Sequence, residues 1–172
     1  MERYAFSGIK LFLVAGIIGV VIGVLLLAGL LKSRSGALAR IIGGAVLIAF
    51  GILFINLRSF GEVRFTEGAM RLKVPFQRDK VIAAEEIVSA REINITLDGD
   101  LRPARKLTGG KVGDIRTGWF RLANGTKAFL ALEGVRALYI ETTLGFPVIA
   151  GVEDFEAFEE SFGMYVWGDR MP

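Results

Sequence analysis

The pattern of hydrophobic and polar positions divides the chain into two unlike parts. Residues 11–31 are an unbroken apolar run, and residues 38–57 are a second run in which only Arg40 and Asn56 are polar. Beyond residue 60, apolar positions alternate with polar ones in short runs that are separated by turn residues. Long apolar runs are typical of buried or membrane helices, and alternation with a period of two is typical of β-strands. The pattern predicts two helices followed by a mainly β domain.

The two apolar runs predict an N-terminal transmembrane hairpin over residues 1–58. A helix of residues 11–31 is roughly 30 Å long, which matches the hydrocarbon core of a bilayer. The second span covers about residues 38–57, and a short basic turn separates the two. Ionisable residues occur only at the flanks, which favours an anchor over a transport path. We therefore expect an integral, multi-pass protein of the cell membrane, and the distribution of basic flanking residues places its β domain in the cytoplasm.

Small residues recur every four positions within both predicted spans. Ala15, Gly19 and Gly23 share one helix face, as do Ala45 and Ala49 in the second span. Small residues at this spacing let two helix backbones approach closely. Two interpretations stay open, namely packing within the hairpin and a homodimer contact through Gly19 and Gly23.

The second part of the chain, residues 59–165, predicts strands and one terminal helix, and residues 166–172 form a tail. The predicted strands cover residues 62–65, 69–75, 86–95, 115–122, 127–132, 137–143 and 146–150, and residues 101–107 are polar and only weakly strand-like. Asn124 and Gly125 lie between two of these runs, which is the strongest local signal for a β-hairpin. The Gly-rich segment 108–114 is either a phosphate-binding loop or a flexible loop, and its lack of the P-loop spacing favours the latter.

The terminal helix is predicted over residues 153–162. Phe155, Phe158 and Phe162 fall on one face at this spacing, and acidic residues stand at the start, where the helix dipole favours them. The overall prediction is an α+β, mainly β fold. It combines the two-helix hairpin with a small barrel or sandwich of about seven strands, capped by this helix.

Composition excludes several kinds of chemistry. The chain has 172 residues and contains neither Cys nor His. Disulfides, thiol nucleophiles, Ser-His-Asp triads and the usual zinc sites are therefore absent. The formal charge is +3, but the basic excess lies in residues 1–57, so it is poor evidence for nucleic-acid binding. We expect no cofactor, no metal and no nucleic acid as partners.

Residues from the hairpin to the terminal helix resemble the bacterial pleckstrin-homology-like domains. The hairpin motif is carried by Gly118, Phe120, Leu122, Asn124, Gly125, Lys127 and Ala128, a later strand by Ile140 and Thr142, and the helix start by Asp154 and Phe158. The resemblance covers residues 60–162 and implies a seven-stranded barrel that is capped by a C-terminal helix. It implies no catalytic residues.

Two groups of basic residues are candidate anion-binding or lipid-binding sites. Relatives of the resembled family that bind phosphoinositides use basic residues near the first hairpin, and Lys73, Arg78 and Lys80 loosely match that spacing. The densest basic stretch comprises Arg102, Arg105, Lys106, Lys111 and Arg116. Such a patch next to a bilayer would attract anionic lipids, although an ordinary solvated surface is the simpler interpretation.

The favoured function is a membrane-anchored, non-enzymatic binding or scaffold module. Its expected partners are the lipid bilayer and another protein, or a second copy of the chain. One alternative is an anionic lipid-headgroup module, and another is an OB-like barrel that acts in assembly. A third is an enzyme that uses paired carboxylates, for which Glu85 with Glu86 or Asp98 with Asp100 are the candidates.

Overall fold

The chain divides into two compact units. A computed structural model describes residues 2–6, 8–28, 36–56, 61–74 and 77–168. One unit is Ser7–Ser59, which we call the helical pair, and the other combines Met1–Phe6 with Phe60–Pro172, which we call the β unit. The first residues of the chain thus belong to the β unit, although the sequence pattern assigned them to the N-terminal hairpin over residues 1–58.

The helical pair consists of two antiparallel helices that meet through glycines. Helix α1 covers Gly8–Leu27 and helix α2 covers Ala37–Asn56. A Cβ atom on Gly23 would lie 2.7 Å from the backbone oxygen of Gly44, and one on Gly51 would lie 2.6 Å from that of Gly16. Only glycine permits these backbone approaches.

Many large apolar side chains of the helical pair are exposed. They are Val14, Ile17, Ile18, Val21, Ile22, Val24, Leu27, Ile41, Ile42, Val46, Phe50 and Ile52. The closest backbone approaches between α1 and α2 occur at glycines, and the side chains of Val20, Leu27 and Ile48 lie beside these glycines.

The predicted transmembrane hairpin is wrong. Among the helices that the structure describes, none combines the length and the apolarity needed to cross a membrane. The prediction of an integral, multi-pass protein of the cell membrane is therefore also wrong.

The β unit contains an antiparallel four-stranded sheet. Its strands are β1 (Glu2–Ala5), β2 (Glu62–Thr66), β3 (Ala69–Lys73) and β4 (Lys80–Ala83), in that spatial order. The sequence pattern did not predict β1. It pairs with β2 although both helices lie between them along the chain.

A six-stranded sheet completes the β unit. Its strands are β5 (Ile87–Asn94), β6 (Pro103–Val112), β7 (Ile115–Leu122), β8 (Lys127–Leu132), β9 (Arg136–Thr142) and β10 (Val148–Gly151). The spatial order is β5-β9-β10-β8-β7-β6, and β10 runs parallel to β8. One face carries a core cluster that includes Phe120, Leu130 and Ile149. Leu101, from the short connection between the two outer strands, packs into the same cluster.

The predicted seven-stranded barrel is also wrong. In the part of the chain that the structure describes, the strands form two sheets whose outer strands do not pair to close a barrel. The segment predicted as a flexible loop is ordered as well, because residues 108–112 continue β6 and only Gly113 and Asp114 form the turn. The sequence pattern indicated a strand only up to residue 107 and missed its continuation, because Gly109 and Gly110 carry no alternation signal.

The predicted terminal helix is confirmed as α3, which covers Phe155–Phe162 and continues as a π-helical turn over Gly163–Trp167. The Asp154 carboxylate accepts a hydrogen bond from the Ala157 N–H and caps its start. The ring of Phe158 packs 5.3 Å from that of Phe65, between centroids. This helix follows the last strand, rather than interrupting the strand order as an OB-like barrel would require.

Two polar networks hold α3 in place. The Tyr4 hydroxyl lies 2.8 Å from the Ala157 carbonyl oxygen, and Ser161 donates a hydrogen bond to the Glu2 carboxylate. Arg136 of β9 pairs with Glu156 of α3 and stacks its guanidinium 4.6 Å from the centroid of the Phe155 ring. The helix is thereby tied to β1 on one side and to β9 on the other.

Candidate functional site

Three cations form a row across neighbouring strands of the six-stranded sheet. Arg105 of β6 lies in register with Arg121 of β7, and Arg121 lies in register with Lys127 of β8. All three side chains are exposed. Residues in register project from the same face of a sheet, so the three charges stand side by side. We call Arg105, Arg121 and Lys127 the basic row.

The hairpin between β7 and β8 fixes two members of this row. Gly125 has a φ of 86°, a conformation that glycine adopts readily, and Asn124 accepts a hydrogen bond from the Thr126 N–H at 2.9 Å. The Arg121 guanidinium donates to the Gly125 carbonyl oxygen at 3.3 Å. The turn therefore sets the register that places Arg121 opposite Lys127.

An aromatic cluster next to the basic row holds two lysines. The Lys127 ammonium lies 4.4 Å from the centroid of the Trp119 ring, and the Lys80 ammonium lies 5.6 Å from it. The rings of Phe129 and Phe146 meet Trp119 edge-on, with centroids 5.2 Å and 4.8 Å away. Because cation–π contacts keep the ammonium groups near the indole, Trp119 orders charges rather than offering a free face for stacking a nucleobase.

The basic row has no acidic partner among the residues that the structure describes. The ion pairs found there involve Glu62, Glu92 and Glu156, and none of these carboxylates pairs with the row. Like charges directly opposite each other on a sheet destabilise it. A row of like charges that no acidic residue neutralises is typical of a surface that meets a partner of opposite charge.

The structure separates the first group of predicted basic residues. Lys80 lies opposite the buried Leu72 in register and reaches Trp119 on the other sheet. Lys73 follows Leu72 on β3, so its side chain projects from the opposite face, in register with Glu62. Arg78 is exposed between β3 and β4. Only Lys80 of this group belongs to the site.

The second predicted group is spread over both faces of β6 and β7. Lys111 lies in register with Arg116, and Lys106 with Phe120, whereas Arg102 is exposed beside a short 3-10 turn. Arg105 alone joins the basic row. Sequence reasoning did not assign Arg121 or Lys127 to an anion site, although both flank the Asn-Gly turn at the spacing that brings them together.

The predicted helix-packing residues behave unequally. Gly19 and Gly23 face α2, with the closest approach at Gly23, which is the alternative of packing within the pair. Ala15, Ala45 and Ala49 are exposed. The closest approaches join Gly16 to Gly51 and Gly23 to Gly44, which are seven residues apart on each helix, and Gly19 lies between them on the same face of α1.

The carboxylates considered for catalysis have local structural contacts instead. Glu86 accepts a hydrogen bond from the Ala83 N–H at 2.9 Å, and Asp98 accepts one from the Asn94 N–H at 2.8 Å. Glu85 and Asp100 are exposed. In each pair, one carboxylate is thus held by a backbone N–H and the other is exposed, and the use of either pair in acid–base catalysis stays a prediction.

A shallow groove of about 290 Å³ lies beside the turn between β9 and β10. Its lining includes Val88, Tyr139, Glu141 and Phe146. Burial raises the pKa of Tyr139, and the Arg91 guanidinium lies 5.3 Å from its ring centroid. The volume is at the lower end of that of small-molecule sites, and the groove is open, so the basic row is the stronger candidate.

Comparison with models of known protein families, with curated proteins and with solved structures found no match. The resemblance to pleckstrin-homology-like domains stays a prediction. The functional argument therefore depends on the geometry of the basic row and the aromatic cluster.

Proposed function

We propose that the β unit is a non-enzymatic binding module that takes an acidic segment of a partner protein on its basic row. The observation that carries this proposal is the alignment of three unpaired, exposed cations on adjacent strands, with two ammonium groups ordered around Trp119. Ordered cations lose little conformational freedom on binding, which improves affinity for a matching anion.

Side-chain recognition is favoured over the addition of a partner strand to the edge. Strand β6, which carries Arg105, is an outer strand of the six-stranded sheet. Its pairing with β7 shifts register twice, after Pro103 and after Lys106. Bulges of this kind interrupt an edge and hinder pairing with another chain. An acidic segment would therefore lie across the strands and contact the cations.

Titration of labelled poly-L-glutamate into the full chain tests this function. We expect the double variant Arg121→Gln with Lys127→Gln to bind poly-L-glutamate roughly tenfold more weakly. This corresponds to a loss of about 1.4 kcal/mol in the free energy of binding. The matched control is Arg71→Gln with Arg78→Gln, which removes one exposed cation from β3 and one from the connection between β3 and β4. We expect this control to bind as the original chain does.

Two outcomes would overturn the proposal. Equal losses in both double variants would show that only net charge matters. Tight binding to phosphatidylserine vesicles or to an oligothymidylate, without binding to poly-L-glutamate, would replace the acidic segment by a lipid headgroup or a nucleic acid.

A further inference from the structure

Helix α3 presents a purely acidic outer face. Its apolar residues Phe155, Phe158 and Phe162 are buried against the β unit. The exposed residues at its start and along its length include five carboxylates, namely Glu153, Asp154, Glu156, Glu159 and Glu160, with no basic residue among them.

Most of this negative charge is uncompensated within the described part of the chain. Glu156 pairs with Arg136, and Asp154 caps the helix. Glu159 and Glu160 form no ion pair with the described residues, and the last turn of α3 holds no basic residue. Like the basic row, the acidic face is thus an exposed surface of like charges, most of which have no partner of opposite sign among the described residues.

No ion pair joins the basic row to the acidic residues of α3 among the residues that the structure describes. Strand β8 begins at Lys127 in the basic row and ends at Leu132, which lies in register with Gly151. Gly151 ends the strand that leads into α3. Five steps along β8 separate the α-carbons of Lys127 and Leu132 by roughly 17 Å, so Lys127 and the start of the segment that leads into α3 lie at opposite ends of β8.

We infer that the occupant of the basic row is the acidic face of α3 on a second copy of this chain. This inference rests on the proposed function and names its partner. The row spans two strand spacings, about 10 Å, and an eight-residue helix is about 12 Å long, so the charged surfaces match in extent. Each copy keeps one free surface of each sign, so the contact is head-to-tail and can extend beyond two copies.

Sedimentation velocity of the full chain over a range of concentrations tests this inference. We expect self-association at about 50 mM salt that weakens at least tenfold at about 500 mM, because screening shortens the reach of exposed charges. Association that persists unchanged at high salt would be driven by apolar surface and would overturn the inference, as would a monomer at every concentration.

Charge reversal supplies the specific control. We expect Arg121→Glu with Lys127→Glu, and separately Glu159→Lys with Glu160→Lys, to abolish association, and an equimolar mixture of the two variants to restore it. Arg71→Glu with Arg78→Glu is the matched control and leaves association intact. Restoration only in the mixture identifies the pair of surfaces, and unchanged association of both single reversals would overturn the inference.

The result also separates the inference from the proposed function. Suppose that the original chain does not self-associate but still binds poly-L-glutamate through Arg121 and Lys127. The second copy is then the wrong partner, while the binding function stands. If poly-L-glutamate binding is also independent of these residues, both proposals are wrong.

Discussion

The helical pair and the β unit use apolar residues in opposite ways. In the β unit, phenylalanines such as Phe65 and Phe158 are fully buried and the charges lie outside. In the helical pair, the contact is made by Gly23, Gly44 and Gly51, while large apolar side chains are exposed. The difference teaches that apolar content alone does not identify a core, because the spacing of small residues decides which face two helices share.

Truncating a phenylalanine should have very different effects in the two units. Phe158→Ala removes a ring that is fully buried against Tyr4, Phe65 and Phe155, and we expect a loss of about 3–5 kcal/mol in the free energy of unfolding. Phe50→Ala removes a ring that is 56% exposed, and we expect a change within about 0.5 kcal/mol. Urea unfolding monitored by circular dichroism measures both, and similar losses would contradict the comparison.

Two adjacent glycines sharpen the comparison inside the helical pair. A Cβ on Gly44 would lie 2.7 Å from a Leu27 side-chain carbon and 2.9 Å from the Gly23 backbone oxygen, whereas one on Gly43 would meet nothing within 4 Å. We expect Gly44→Ala to destabilise the pair by about 1–3 kcal/mol. Gly43→Ala should stabilise it by up to about 1 kcal/mol through helix propensity.

Hydrogen exchange of the helix amides distinguishes these two variants. Protection should fall in α1 and α2 for Gly44→Ala and rise for Gly43→Ala, with the strands of the β unit unchanged. A loss of protection in both variants would show that the helices do not meet along the glycine line.

The smallest effect concerns the attachment of α3 and depends on pH. Hydrogen bonds from Ser161 and Tyr4 lower the pKa of Glu2 below 4.5, and the hydrogen bond from Arg136 lowers the pKa of Glu156. Carboxylates with lowered pKa values stabilise the fold at neutral pH, and this contribution is lost as the pH falls from about 4.5 through the folded pKa.

Glu2→Gln combined with Glu156→Gln tests this dependence. The double variant should be less stable than the original chain at pH 7, and the difference should shrink as the pH falls below about 4.5. Glu159→Gln with Glu160→Gln removes the same charge without touching either network. Thermal unfolding across this pH range measures the effect, and a difference that is independent of pH would contradict the assignment.

Local patterns predicted much of the β unit and failed where distant residues decide. The sequence predicted the turn at Asn124 and Gly125 and the phenylalanine face of α3, because both depend on residues that are close in the chain. Strand β1 was missed because its pairing with β2 bridges both helices. The parallel pairing of β10 with β8 could not be read from alternation, which is the same in either direction.

The candidate site was only partly predictable for the same reason. The density of basic residues along the chain selected Arg105, which lies in the site, and Lys106, which does not. The spacing of the resembled family selected Lys80, which lies in the site, and Lys73, which does not. The register of β6, β7 and β8 aligns Arg105, Arg121 and Lys127. The local density of basic residues along the chain contains no information on this register. The two apolar runs were wrongly predicted to be transmembrane spans, because a continuous apolar run does not show which of its residues meet another helix.

The antiparallel course of the two helices has a consequence for how the chain folds. Because α1 leaves and α2 returns at the same end of the pair, a folded pair brings the chain on either side of it close together. Strand β1 must find β2 across more than fifty intervening residues, and closing a flexible loop of that length carries an entropic cost. The folded helical pair therefore shortens the effective loop between β1 and β2. Early formation of the helices would accelerate completion of the four-stranded sheet.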